Sequence, residues 1–327
     1  KDTKTADKLF DRYEYVDAAK EYLKIALEKA DSYVYKQLGD CYYNVFNSVE
    51  AEKWYSKAVE KEQDAETYFR YAQMLKANTK YDLANVQMKK FATLSPNDNR
   101  TKFITVDENY ITKLLGTTKT FDVKAAGFNT KYSEFGAYLK DNFLYFASAR
   151  NTDRKTYDWN DQPFLDIYKI DYNEGAFAKE AVAVDDLNTK HHEGAVTISP
   201  DGNTIYFSRE SFFEKEFEKV KTNNKKVSKM YIYKATKDGD KWANITSLEI
   251  NNSKYNNSSP SLSKDGKTLY FSSDMPGGIG KSDVWKMTIA ADGKLGKPEN
   301  LGKTINTEGS EMFPFIADAE TLYFSSN

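Results

Sequence analysis

Two adjacent histidines, His191 and His192, are the only imidazoles in the chain. Imidazole binds transition metals, but neighbours in an extended segment point to opposite faces, so this pair cannot readily close on one ion. The corresponding positions in related loops, Tyr132-Ser133 and Gly309-Ser310, mark the histidines as local variation. Carboxylates are a second source of chemistry, because Glu134, Glu193 and Glu311 recur at matching places in a repeated loop. A ring of them around a channel would hold a cation. The preferred reading has each carboxylate accepting hydrogen bonds from backbone amides, and the remaining copy of the loop offers Ser258 in that place. Cys41 lies at helical spacing among Leu38, Tyr42 and Tyr43, which reads as a buried, inert thiol with no intramolecular disulfide to form. Pro276-Gly277-Gly278-Ile279-Gly280 is rich in glycine like a phosphate cradle. It joins two strand patterns and does not open a helix, so it reads as a turn. The chain holds no Gly-x-Ser-x-Gly elbow and no His-Glu-x-x-His helix. The expectation is a protein without catalytic residues, cofactor or metal.

The elements that carry these residues are repeated. Leu301-Gly302-Lys303-Thr304-Ile305-Asn306-Thr307-Glu308-Gly309-Ser310-Glu311 is followed by Thr321-Leu322-Tyr323-Phe324-Ser325. The same wording appears from Phe128 to Phe146 and from Leu187 to Ser208, with a fourth, out-of-phase copy from Asn252 to Ser272. Phe146, Phe207, Phe271 and Phe324 stand 53 to 64 residues apart, a period typical of a propeller or array. Ser199-Pro200-Asp201-Gly202 and Ser263-Lys264-Asp265-Gly266 supply hairpin turns. Third strands are expected at Asp166–Ile170, Met230–Tyr233 and Asp283–Met287, and weaker fourth strands near Val182, Ser247 and Asn300. Four short antiparallel strands per unit make a propeller blade. Phe212–Lys229 reads as an inserted hairpin or short helix.

From Lys1 to Leu115 the period shortens to about 34 residues, that of a tetratricopeptide array. Tyr35, Leu38, Gly39, Tyr42, Ala51, Tyr55 and Ala58 take its aromatic, small and apolar positions. Tyr68, Tyr71, Ala72, Leu75, Ala84, Met88, Phe91 and Pro96 repeat them, and Ala6, Leu9, Ala18, Tyr22 and Ile25 form a first copy. Phe103, Val106, Tyr110, Ile111 and Leu114 suit a capping helix ending at Gly116. The first helix of each pair lines a concave groove, which assigns partner contacts to Tyr33, Lys36, Asp40, Tyr43, Asn44, Phe69, Gln73 and Lys76. The predicted organisation is therefore an α-solenoid at 1–115 and an all-β propeller at 116–327, about three and a half blades long.

The net charge of -2 leaves neither half basic, which argues against nucleic acid as a partner, and no apolar run is long enough for a membrane span. The chain starts inside a helical pattern and stops at a second strand, which predicts that it is a piece of something longer.

The stretch from Asn257 through Phe271 to Gly278, with its Ser-Lys-Asp-Gly turn, resembles the WD40-like repeat of TolB-type propellers. Joined to the helical array, the chain resembles the OmpA-family peptidoglycan-associated proteins of Bacteroidota, among them the PorE-type component of type IX secretion. That resemblance implies a periplasmic, non-enzymatic scaffold associated with the outer membrane and cell wall. It implies partners among the outer-membrane and periplasmic proteins of a secretion or gliding complex. Peptidoglycan would be held by a C-terminal OmpA-like domain absent from these residues. Two other readings are a glycan- or ligand-binding propeller and a propeller gating a fused serine peptidase.

Overall fold

A computed structural model describes residues 2–29, 31–106, 110–118, 121–221 and 225–327. The chain divides into two compact units, Lys1–Lys124 with Tyr157–Asp161, and Ala125–Thr156 with Gln162–Asn327. The expected boundary after Leu115 lies earlier than this division.

The first unit is helical. Its helices are α1 (Lys4–Asp11), α2 (Tyr15–Lys29), α3 (Ser32–Asn44), α4 (Ser48–Ala58), α5 (Ala65–Ala77), α6 (Tyr81–Leu94), α7 (Asn99–Val106) and α8 (Tyr110–Leu115). Asp31, Asn47 and Asp64 cap α3, α4 and α5 by accepting from the backbone N–H three residues on, which explains where those helices begin. Consecutive helices pack as antiparallel pairs, and the small residues set how closely they approach. Gly39 of α3 lies so near α4 that a Cβ there would sit 2.5 Å from the Tyr55 ring. Ala51, Ala58, Ala72 and Ala84 are fully buried beside Tyr55, Leu75 and Phe91. The side chains of the expected capping face, Phe103, Val106, Tyr110, Ile111 and Leu114, lie outside the described residues. Tyr157–Asp161 completes this unit: Trp159 stacks on Tyr13 and meets Tyr15 edge-on, and its indole N–H donates to the Asn44 carbonyl at 2.9 Å.

The second unit is built of antiparallel sheets. The first contains β1 (Glu134–Lys140), β2 (Phe143–Ser148), then β3 (Thr156–Tyr157) and β4 (Gln162–Pro163) as a side ribbon, β5 (Asp166–Asn173), β6 (Ala176–Phe177) and β7 (Val182–Ala183). The second contains β8 (Glu193–Ile198), β9 (Thr204–Glu210), the ribbon β10 (Glu218–Val220) and β11 (Lys225–Val227), β12 (Met230–Asp238) and β13 (Lys241–Ser247). The third is β14 (Asn257–Leu262), β15 (Thr268–Ser273), β16 (Asp283–Thr288) and β17 (Glu299–Asn300), and the fourth pairs β18 (Glu311–Ile316) with β19 (Leu322–Ser326). The chain steps outward through each sheet, and the first strands stand side by side, β1 next to β8, β8 next to β14 and β14 next to β18. Both faces of the second and third sheets are apolar, because each is covered by a neighbouring sheet. Tyr145, Ile167 and Leu187 of the first sheet pack against Ile205, Phe207 and Tyr233 of the second. Tyr206, Ile232 and Leu248 then pack against Leu269, Phe271 and Trp285 of the third. Each first strand carries one bulge, at Phe135/Tyr138, Gly194/Val196, Ser258/Ser261 and Met312/Phe315, which increases its local twist. The insertion expected at Phe212–Lys229 is a 3₁₀ turn, Ser211–Glu214, followed by the β10–β11 ribbon.

Candidate functional site

The predicted groove residues of the helical unit fall into two groups. Asp40 is 2% exposed and serves as a hub. It accepts from the Tyr55 hydroxyl at 2.7 Å, from Arg70 Nη1 at 2.8 Å and from Lys36 Nζ at 3.1 Å. A side chain so enclosed holds the helices together and presents nothing to a partner, and its assignment to the groove surface is corrected on that ground. Lys36 also reaches Asp64 at 3.7 Å, and Asn44 Nδ2 donates to the Asp40 carbonyl. Burial works to discharge Arg70, but the Asp40 charge beside it wins and its pKa rises above the ordinary value.

Rings occupy the rest. Arg70 lies 5.2 Å from the centre of the Tyr43 ring, and Arg100 lies 4.1 Å from that of Phe69 and 4.9 Å from that of Phe91. Arg100 is itself held by Glu66 at 3.0 Å and Asp98 at 2.9 Å. Tyr33 is 45% exposed, with its hydroxyl donating to Asp7. Burial and that bond push its pKa up to about 12. Gln73 is half-buried on α5, and burial pulls the Lys76 ammonium below its usual pKa. Tyr33, Tyr43, Phe69, Gln73 and Lys76 therefore remain as accessible positions, while Lys36 and Asn44 belong to the Asp40 network.

In the second unit the repeated loop motif has a structural explanation. Thr130, Thr189 and Thr307 each donate both backbone N–H and hydroxyl to the glutamate four residues on, with hydroxyl distances of 2.6, 2.6 and 2.7 Å. The carboxylates then diverge. Glu134 pairs with Arg150 at 2.8 Å, Glu193 with Arg209 at 2.8 Å, and Glu311 accepts from the Ser326 hydroxyl at 2.7 Å. Arg209 also donates to the Leu187 carbonyl and lies over Phe207, Phe213 and Tyr233. Burial pushes the Glu193 carboxyl up to about 7, opposed by the Thr189 donors and the guanidinium.

In the third sheet the equivalent residue is Asn257, which pairs with Ser273 as Glu193 pairs with Arg209. Ser258, expected there, lies one position beyond it and stands opposite Ser272. No group of three or more metal-ligating side chains occurs among the described residues.

The asparagine of the same motif is a clamp. Asn188 accepts from Ile167 N–H at 2.7 Å and donates to its carbonyl at 2.9 Å. Asn251 does the same with Ile232, and Asn306 with Val284. Each clamp grips the third strand of its sheet one residue beyond the ladder with the fourth strand, supplying the acceptor for an N–H there and sharing the carbonyl with a backbone N–H. Sequence reading registered the recurrence of this residue and missed its role.

His192 is buried, its ring stacked on Phe164 at 4.3 Å, and Nδ1 accepts from Leu165 N–H at 2.9 Å. Burial drives its pKa down to about 4. His191 instead faces Phe212, with Nδ1 3.9 Å from Glu210. Buried Cys41 has a thiol pKa raised by desolvation, as expected for an inert sulfur. The glycine-rich turn folds over Asp283, which accepts from Ile279 N–H and Gly280 N–H. A Cβ at Gly280 would lie 2.3 Å from the Thr307 carbonyl, so the glycine is there for close packing.

A cavity of about 360 Å³ opens between the first strands, walled by Phe135, Tyr138, Val196, Pro260, Phe313 and Phe315 among others. Phe135 of β1 and Phe313 of β18 meet edge-to-face across it at 5.7 Å. Its wall holds aromatic rings and no carboxylate, half of what a glycan channel requires.

No family model matches the chain, and no curated protein matches it. Among solved structures it is similar to the C-terminal part of a TPR repeat-containing protein from Cytophaga hutchinsonii, at 19% identity over 36% of this chain and 46% of that one, TM-score 0.29. It is similar to a putative TolB from Agrobacterium tumefaciens at 19% identity over 57% and 55% of the two chains, TM-score 0.32. A Mycobacterium tuberculosis puromycin-hydrolyzing peptidase matches at 16% identity over 59% of this chain and 27% of its own length, TM-score 0.34. The chain thus spans about half or less of these proteins.

Proposed function

We propose that the chain is a non-enzymatic scaffold: a tetratricopeptide-repeat array joined to a run of WD40-like propeller blades. In this reading it acts in the periplasm as part of a tether between an outer-membrane secretion or gliding complex and peptidoglycan. One observation carries the proposal. The recurring polar side chains of the sheets, Glu134, Glu193, Glu311 and the clamp asparagines, are bonded into their own framework. The helical unit, by contrast, offers Tyr33, Phe69 and Gln73 on successive first helices, a set suited to a protein segment.

The test is photo-crosslinking in living cells with a photoreactive residue placed at Tyr33, Phe69 or Gln73 of the natural protein. Adducts with envelope proteins from these positions, and none from the outward-facing control Leu27, are expected. Peptide-cleaving activity in the purified protein, or adducts from Leu27 alone, would overturn the reading.

A further inference from the structure

The inserted ribbon sorts its charges by face. In β10 and β11 the directly opposed residues are Glu218 with Val227, Lys219 with Lys226, and Val220 with Lys225. Side chains alternate along a strand, so Lys219 and Lys226 share one face, joined by Phe217 and by Lys221 at the end of the strand. Lys226 Nζ indeed sits 4.2 Å from the centre of the Phe217 ring. Lys219, Lys221 and Lys226 are all exposed.

The three carboxylates of the insertion point elsewhere. Glu214 accepts from the Tyr233 hydroxyl, Glu216 from the Tyr231 hydroxyl, and Glu218 pairs with Lys229 at 3.4 Å. The base of the ribbon is anchored by Ser211, whose hydroxyl bonds Lys229 N–H and the Glu216 carbonyl. The outer face is therefore cationic on a protein of net charge -2. Two lysines placed directly opposite each other repel, an arrangement that folding alone does not favour. An anion between them removes that penalty.

We propose that this face of the ribbon binds an anionic lipid surface through its phosphate headgroups. The lysine pair brackets a phosphate and Lys221 extends the contact. Phe217, beside Lys226, supplies an apolar body that settles at the depth of headgroups. A soluble polyanion would use the lysines but has no need of the ring. The proposal stands apart from the scaffold reading, because it concerns a surface the groove does not include.

The experiment is co-sedimentation of the protein with phosphatidylcholine vesicles, with and without phosphatidylglycerol, at low and high salt. Partitioning onto the anionic vesicles is expected, weakening as salt screens the charges. Each lysine near such a surface strengthens binding about fivefold, so Lys219→Gln/Lys221→Gln/Lys226→Gln should weaken it roughly a hundredfold. Lys179→Gln/Lys264→Gln/Lys303→Gln, which removes three exposed lysines elsewhere, should leave binding unchanged. Absence of binding to anionic vesicles would overturn the proposal. So would an equal loss in the control triple, or retention on dextran sulfate without binding to vesicles.

Discussion

Replacing Glu193 by alanine should be among the most damaging single changes in the second unit. The carboxylate and its Arg209 partner are 0% and 1% exposed, with Nε and Oε1 2.8 Å apart. Removing one member of such a pair strands a buried charge, at a cost of about 3 to 5 kcal/mol. Arg209 keeps the Leu187 carbonyl and the faces of three rings, which puts the loss near the lower end, about 3 kcal/mol. Arg209→Met is milder, about 1 to 2 kcal/mol. Its side chain refills the aromatic slot, and the Glu193 carboxyl, already pushed up to about 7 by burial, takes a proton readily. The double variant should then resemble Arg209→Met, so the coupling in a double-mutant cycle equals the whole cost of Glu193→Ala, about 3 kcal/mol. The assay is urea unfolding followed by tryptophan fluorescence in a background carrying Trp54→Phe and Trp159→Phe, so that Trp242 and Trp285 report only their own unit. A Glu193→Ala stability within about 1 kcal/mol of the parent, or strict additivity in the cycle, would refute the reasoning.

Further outcomes are expected elsewhere. His192 is neutral in the folded chain, with a pKa lowered from 6.5 to about 4, so its contribution is complete above pH 6.5 and is lost as pH falls toward 4. The stability difference between the parent and His192→Gln should shrink by about 2 kcal/mol from pH 7 to pH 4.5, measured by urea unfolding at each pH; a flat difference would contradict the enclosed neutral ring. Asn306→Ala leaves the buried Val284 N–H without its acceptor, while the Val284 carbonyl keeps Leu301 N–H, and should cost about 1 to 3 kcal/mol, read as a lowered melting temperature of the second unit. Gly39→Ala raises helix propensity by about 1 kcal/mol but drives a methyl to 2.5 Å from the Tyr55 ring. Overpacking of about 1 to 3 kcal/mol should dominate, and a gain in helical thermal stability would show that α3 and α4 separate freely.

What was legible in the sequence follows from the range over which each interaction acts. The helical pairs were readable because Tyr35, Leu38 and Tyr42 repeat within one helix, and the hairpin turns because Asp201-Gly202 and Asp265-Gly266 act within four residues. Asp201 and Asp265 do close those turns by accepting from the N–H two residues on. Asp40 was misplaced because helical spacing put it beside Lys36 and Tyr43, whereas its partners, buried Tyr55 and half-buried Arg70, come from later helices. The glutamate of the loops was legible as a backbone acceptor from its recurrence at matching places, and the structure supplies the donor, a threonine four residues earlier in the same loop. Its arginine or serine partner lies on the next strand and differs from sheet to sheet, so no pattern announced it. In the third copy the 64 residues that separate Phe207 from Phe271 carry Glu193 to Asn257, so the position was present in the spacing, while the change from glutamate to asparagine hid it from a search for a repeated carboxylate.

The asparagine clamps also impose an order in time. Asn188, Asn251 and Asn306 each follow the strand they close by about twenty residues of chain, at Ile167, Ile232 and Val284. While the polypeptide is being made, the N–H of Ile167, Ile232 or Val284 at the end of each third strand therefore waits without its acceptor until the next stretch leaves the ribosome. At about 5 to 20 residues per second that wait lasts one to a few seconds, long on the scale of hairpin formation. The newest strand is the exposed one throughout synthesis, so the vulnerable site travels along the chain with the growing end.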